Sequence, residues 1–140
     1  MLLPDVNVWV ALAFDSHRHH AAAFSWFKAA PPESCCFCRV TQQGFLRLAT
    51  TPAVMMDGAL TLREAWAAYD GLYHDPRLVF ADEPPDIERV WRALTQRDRI
   101  SHKVWTDAYL AAFAQTAGLE VVTFDRGFAQ YAGIRCTILS

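Results

Sequence analysis

Glycine is scarce in this chain of 140 residues: there are six, and none of them cluster. That scarcity excludes a glycine-rich phosphate loop, and no G-x-S-x-G elbow is present to carry a Ser/His/Asp nucleophile. Cysteine is scarcer still, at four: Cys35, Cys36, Cys38 and Cys136. Cys35 and Cys38 form a C-x-x-C, but no second pair completes a zinc site. In SCCFCRV, read as a strand, positions i and i+3 point to opposite faces, which argues against chelation. These thiols are expected to be buried, reduced and used as small hydrophobes, in a reducing compartment. Long apolar runs are also missing. Val8–Phe14 comes nearest, and it is short, with Asp5 and Asp15 on either side, so neither a signal peptide nor a membrane helix is expected. The compartment expected is the cytoplasm. Positive charge is not in excess: 13 Lys and Arg face 15 Asp and Glu, for a net charge of −2. Contact with nucleic acid therefore needs a local basic surface, because affinity there comes mainly from phosphates.

What is present suits one globular domain over residues 1–140, with 53% apolar and 20% charged residues. Met1–Pro4 reads as an opening strand and Val6–Phe14 as a helix, with a second helix over His20–Ala30 stopped by Pro31-Pro32. A strand at Ser34–Cys38 and a helix at Thr41–Ala49 follow, the latter closing near Thr51-Pro52. Leu62–Tyr73 is helical, Arg77–Ala81 a short strand, and Asp86–Arg97 a helix opened by Pro84-Pro85. Val104–Ala117 is an Ala-rich helix that Gly118 ends. Glu120–Phe124 is a β-branched strand, followed by a short helix to Tyr131 and a last strand near Cys136–Leu139. Strands alternating with helices imply an α/β fold, a parallel sheet of four to five strands sandwiched by helices. The pattern leaves the strand order open.

Three acids stand out against this frame. Asp5 and Asp125 each follow a strand and precede a helical turn, where Asp is a favoured N-cap. Asp107 lies early in its helix, where the macrodipole favours a negative charge. Yet the helical neighbours of Asp107, Val104, Leu110, Ala111 and Ala114, form the apolar stripe, and no Lys or Arg follows within two turns. A buried carboxylate is normally paired or bound to a metal. In a parallel α/β sheet the carboxyl ends of the strands open on one edge, where ligands bind. Asp5 and Asp125 belong to that edge, and Asp107 can project into the same crevice. Two carboxylates about 5 Å apart at an effective dielectric near 20 repel by roughly 3 kcal/mol. Three call for a cation, and oxygen ligands suit Mg²⁺ or Mn²⁺ rather than zinc.

The order of these segments resembles the PIN-domain ribonucleases, and within them the VapC-type toxins of bacterial toxin–antitoxin pairs. LLPDVNVWVALA is similar to their first strand, acid and helix, HHAAAFSWF to their second helix, and VTQQGFLRLAT to their third. WTDAYLAAFA and VVTFDRGF resemble the last two acidic motifs. The resemblance spans nearly the whole chain. It implies a PIN-like fold and a Mg²⁺-dependent endoribonuclease (Mn²⁺ may substitute) that hydrolyses cellular RNA, transfer or ribosomal. It further implies a homodimer inhibited by a cognate VapB-type antitoxin. Asp5, Asp107 and Asp125 fall on the family's catalytic, metal-binding acids, with Asn7 and Thr106 beside them as supports. The family usually carries a Glu in the third helix where this chain has Gln42. That leaves open an alternative, a catalytically weakened PIN-like protein that binds metal or RNA.

Other features have simpler readings. His17, His19 and His20 are expected to form a solvated helix start. Arg39, Arg47, Arg97, Arg99, Lys103 and Arg126 are candidate phosphate contacts, with Arg47 and Arg126 favoured by their adjacency to site segments. Trp26, Trp66 and Trp91 fall at apolar helical positions and read as core or interface. Trp9 with Phe14, Phe24 and Phe27 reads as either a partner surface or ordinary core. A receiver domain needs an acidic pair after strand one and a Lys after the last strand, and neither is found. Asn7 disfavours a D-x-D phosphatase.

Overall fold

The computed structural model describes all of residues 1–140. Five strands, β1 (Leu2–Pro4), β2 (Cys35–Phe37), β3 (Leu78–Phe80), β4 (Glu120–Thr123) and β5 (Arg135–Ile138), form one sheet in the order β3-β2-β1-β4-β5. Every neighbouring pair runs parallel, with Leu2 opposite both Cys35 and Glu120 at the centre. Seven α-helices connect and cover the strands: α1 (Val6–Ala13), α2 (His20–Lys28), α3 (Arg39–Ala49), α4 (Pro52–Met55), α5 (Leu62–Tyr73), α6 (Ile87–Thr95) and α7 (Val104–Ala117). A 3₁₀ turn at Arg126–Gln130 stands where a short helix was expected. The brief helix α4 was not anticipated; Pro52 opens it, with a fixed φ suited to a first turn.

Because strand side chains alternate, the sheet has a core on each face. Leu3, Cys36 and Val121 pack under α6 and α7 with Phe113 and Phe128. Cys35, Phe37 and Leu78 pack on the other side beneath α1, α2 and α5, with Trp9 and Phe45. Cys35 and Cys38 therefore belong to opposite cores, as the strand reading required, and all four cysteines are free. Trp9 is fully buried and stacks on Phe37 at 4.1 Å, which makes it core and not a partner surface. Gly118 ends α7 at φ +70, a left-handed position where glycine carries no steric cost. No helix is long and apolar enough to cross a membrane.

The strand order carries a functional consequence. From β1 the chain builds outward through β2 to β3, then returns to lay β4 on the other side of β1. The reversal lies between β1 and β4, and in such sheets the crevice beyond the carboxyl ends at that reversal is the ligand site. Asp5 is the residue after β1, and Asp125 lies just beyond β4.

Candidate active site

Asp5 is buried, and its two oxygens are already oriented. Oδ1 accepts from the backbone N–H of Val6 at 2.7 Å, as an N-cap of α1. Oδ2 accepts from the Thr123 hydroxyl at 3.0 Å and from the Asn7 side-chain amide at 3.1 Å. Burial raises the Asp5 carboxyl above the usual range, the Thr123 and Val6 hydrogen bonds oppose that, and the Asp125 charge adds to it. Asp125 caps its own 3₁₀ turn through Oδ1, which accepts from Gly127 N–H at 2.8 Å. The N-cap readings of Asp5 and Asp125 are thus correct, yet capping leaves acceptor capacity on both: an ionised carboxylate has about four lone-pair sites.

Asp107, in the first turn of α7, is half-buried and makes no hydrogen bond. Leu110, Ala111 and Ala114 of its stripe are buried as expected, so the carboxyl sits at the mouth of the core rather than inside it. Its pKa is pushed up to about 6, first by burial and then by the negative charges of Asp5 and Asp125. Mutual repulsion of this kind operates only among neighbours, so residues distant in sequence share one electrostatic site. None of the three has a cationic partner: the ion pairs of the chain are Arg77–Asp75, Arg89–Asp86 and Arg92–Glu88.

Thr123 was missed by the sequence reading. It is fully buried at the end of β4, and its single hydroxyl oxygen links Asp5 and Asn7 to the backbone of Asp125. That oxygen donates to Asp5, and accepts from Asn7 at 3.2 Å and from Asp125 N–H at 3.0 Å. Asn7 completes the bracket by accepting from Phe124 N–H at 3.3 Å. The signal was available: a lone hydroxyl closing an apolar strand one residue before a loop is an exception that calls for a reason.

A groove runs beside the acids. One part, about 330 Å³, is lined by Val6, Val40, Gln43, Gly44, Arg47 and Thr106. Val6 and Thr106 are the chain neighbours of Asp5 and Asp107, and Thr106 and Arg47 line this groove together. Val40, Gln43, Gly44 and Arg47 share one face of α3 by helical spacing. Gln42 does not belong to that face. It is buried on the far side, where its Oε1 accepts from Arg39 at 2.6 Å and its amide approaches Tyr69 of α5. Gln42 and Gly44 are about 200° apart on the helix, so while Gln42 meets Arg39 and Tyr69, Gly44 packs on α1. An added Cβ at Gly44 would come within 2.6 Å of the Val6 side chain. The face of α3 nearest the acids thus bears no carboxylate.

Arg126 is exposed beside Asp125 without an ion pair. Arg97 and Arg99 lie toward Tyr131, whose phenol also feels Asp107 and Asp125. The histidines are used separately: His20 Nδ1 lies 2.9 Å from the Ala11 carbonyl oxygen and His19 stacks on Phe124 at 4.4 Å. No three His, Cys, Asp or Glu side chains lie close enough together in this structure to hold a metal ion. What Asp5, Asp107 and Asp125 offer a cation is donor chemistry: three carboxylates without a Lys or Arg partner, two held by neutral donors and one with both oxygens free of hydrogen bonds. Hard oxygen donors of this kind match Mg²⁺ or Mn²⁺.

Comparison with known proteins bears on the family and the fold. The PIN domain family model matches residues 2–134. Ribonuclease VapC41 of Mycobacterium tuberculosis is 48% identical over 147 residues, covering 100% of this chain and 99% of its own. Ribonuclease VapC38 of the same organism is 33% identical over 135 residues, covering 91% and 86%. Among solved structures, M. tuberculosis VapC20, described as a sarcin–ricin loop cleaving toxin, superposes with a TM-score of 0.70 at 19% identity, covering 96% of this chain and 99% of that one. VapBC2 from Rickettsia felis, bound to a fragment of promoter DNA, gives 0.72 at 12% identity, covering 99% and 98%. At such identities the superpositions speak for the fold alone.

Proposed function

The chain belongs to the PIN domain family, as a VapC-type ribonuclease toxin, and from that premise we propose that it cleaves cellular RNA with a divalent cation held by Asp5, Asp107 and Asp125. What supports this reading is that Asp107 lies within electrostatic reach of Asp5 and Asp125 at the carboxyl edge of the sheet, and that none of the three has a Lys or Arg to neutralise it. Mg²⁺ is the cation proposed, with Mn²⁺ as a substitute; bound there, it supplies Lewis acidity toward the phosphodiester. Asp5 is a preset ligand, since Val6, Asn7 and Thr123 fix its plane. Asp107 has both oxygens free, which suits it to complete the ligand set and to orient the attacking water. Arg47 and Arg126 lie where phosphate contacts offset the repulsion between RNA and the acids.

The substrate class proposed is structured RNA, a transfer RNA or a ribosomal RNA loop, in the cytoplasm. The inhibitor proposed is a VapB-type antitoxin; several fold neighbours were solved as toxin–antitoxin complexes. The assembly proposed is a homodimer. Val54, Met56, Leu62 and Trp66 are exposed on α4, α5 and the turn between them, and an apolar face of this kind suits a second copy. Purified chain should cleave RNA in Mg²⁺ and stop in chelator. Asp5→Asn and Asp107→Asn should each lower the cleavage rate by about a thousandfold or more, as loss of a metal ligand does. Variants that cut as fast as the parent would remove the basis of the mechanism.

A further inference from the structure

The groove beside the acids continues into a second compartment of about 420 Å³ with which it shares Val40, Gln43 and Thr106. This end is aromatic. Trp91 stands perpendicular to Trp105 (6.3 Å, 85°) and to Tyr109 (5.4 Å, 85°), and its indole N–H donates to the Trp105 carbonyl at 3.0 Å. Trp91 is thereby locked from two sides, whereas the Trp105 ring is 53% exposed. A half-exposed indole contributes little to the core, and it stands two residues before Asp107.

The polar groups of the compartment are equally specific. Glu83, just beyond the carboxyl end of β3, is exposed, and one of its oxygens accepts from the Tyr109 hydroxyl at 2.7 Å. The other oxygen stays open. Gln43 supplies a donor, and Arg39, just beyond β2 and bonded through its guanidinium to Gln42, borders the compartment. A carboxylate in a groove that takes RNA is unfavourable toward phosphate, so Glu83 suits a different part of the nucleotide. Unpaired bases are recognised by stacking on an aromatic face and by hydrogen bonds at their edges. A carboxylate accepts from an exocyclic amine, which adenine, cytosine and guanine carry and uracil lacks. An apolar side chain of a protein partner would fill only the aromatic half and leave Glu83 and Gln43 without partners.

We propose that this compartment binds an amino-bearing nucleobase of the RNA strand next to the cleaved phosphodiester, with Trp105 as stacking face and Glu83 as acceptor for the exocyclic amine. The proposal rests on the ribonuclease reading above, and it adds a sequence preference for which that reading gives no source.

The test is fluorescence anisotropy of labelled short oligoadenylate, oligocytidylate and oligouridylate with the full chain in chelator, so that binding is read without cleavage. The parent should hold the adenine and cytosine oligomers about tenfold tighter than the uracil oligomer. Trp105→Ala should weaken the first two about tenfold, Trp105→Phe should restore most of that, and Glu83→Gln should bring the three oligomers together. Melting curves confirm that each variant is folded. A parent that ranks the oligomers alike overturns the proposal, as does a folded Trp105→Ala with the parent's affinities. If that variant keeps its RNA affinities and loses an antitoxin instead, the compartment is a protein-docking site and the proposal falls. Failure of the parent to bind or cut any RNA overturns the ribonuclease reading itself, a different result from intact cleavage without base preference.

Discussion

The two ends of the sheet handle carboxylates in opposite ways. At the amino end of β3, Asp75 receives two hydrogen bonds from the Arg77 guanidinium, both at 3.1 Å, and one from its backbone N–H at 2.9 Å. Arg77 is pinned in turn by the Ala30 carbonyl and lies over the Phe27 ring at 5.2 Å. That acid is neutralised within the chain and staples α2 to β3. At the carboxyl end, Asp5, Asp107 and Asp125 are braced by neutral donors or left free; beyond the effect of burial, the Asp125 charge raises the proton affinity of Asp5, and the charges of Asp5 and Asp125 raise that of Asp107. One arrangement pairs its acid with a guanidinium of the chain, whereas the other has no Lys or Arg paired to its acids. Hydrogen bonding alone does not separate them, because both ends are well bonded. The separation lies in whether a cation is built in.

The largest expected effect at the open end, apart from loss of the acids themselves, comes from Thr123. Thr123→Val keeps the shape but removes the oxygen that ties Asp5, Asn7 and Asp125 together. Groups that orient metal ligands typically matter by about 10- to 100-fold, so RNA cleavage should fall by that factor and the Mg²⁺ concentration for half-maximal rate should rise. A rate within twofold of the parent would mean that Asp5 is held well enough by Val6 and Asn7. The closed end should behave in the reverse way. Arg77→Met leaves Asp75 partly buried without its cation, which should lower stability by about 1–3 kcal/mol in urea titration, with cleavage at permissive temperature unchanged. If Arg77→Met damages cleavage as Thr123→Val does, the two ends are not independent.

This contrast also explains what could be read from the chain. The order of strands and helices was legible because hydrophobic periodicity, the Pro pairs and Gly118 mark it locally. Asp5 and Asp125 were legible because each follows a strand. The strand order was not, since no local pattern says on which side of β1 the fourth strand will lie. Thr123 was legible only as an oddity, a lone hydroxyl closing an apolar strand, because its partner Asp5 is brought to it from the far end of the chain. Gln42 points inward with Phe45 and Ala49, but inward does not say toward what. α3 is buried on more than one side, so an inward-facing residue can face Tyr69 and Arg39 instead of the acids.

A smaller effect probes the charge that the open end lacks. The Asp107 carboxyl titrates at about 6, above its ordinary 3.8, so between those values the folded protein binds more protons than the unfolded chain. Its contribution to stability is present below the ordinary value and is lost as pH rises through about 6. Asp107→Asn removes that loss. The variant's melting temperature should gain on the parent as pH goes from 4 to 7 without metal, by on the order of 3 °C, since half the group faces solvent and screening limits the effect. Added Mg²⁺ should close the gap by raising the parent. A gap independent of pH would assign the change to packing and not to charge.

The smallest expected effect separates two neighbouring glutamines. Gln43 lines the groove with Val6 and Thr106, whereas Gln42 is held by Arg39 on the other side of α3. Gln43→Glu therefore adds a fourth carboxylate on the side of the acids, and should tighten Mg²⁺ or Mn²⁺ by a few-fold in calorimetry, as an added anionic oxygen ligand does. Gln42→Glu instead places its charge against the Arg39 guanidinium, and should leave metal affinity where it was. A reversal, with Gln42→Glu tightening the metal and Gln43→Glu inert, would mean that α3 rotates when the cation binds, and that the closed packing of Gln42 against Arg39 belongs to the metal-free state alone.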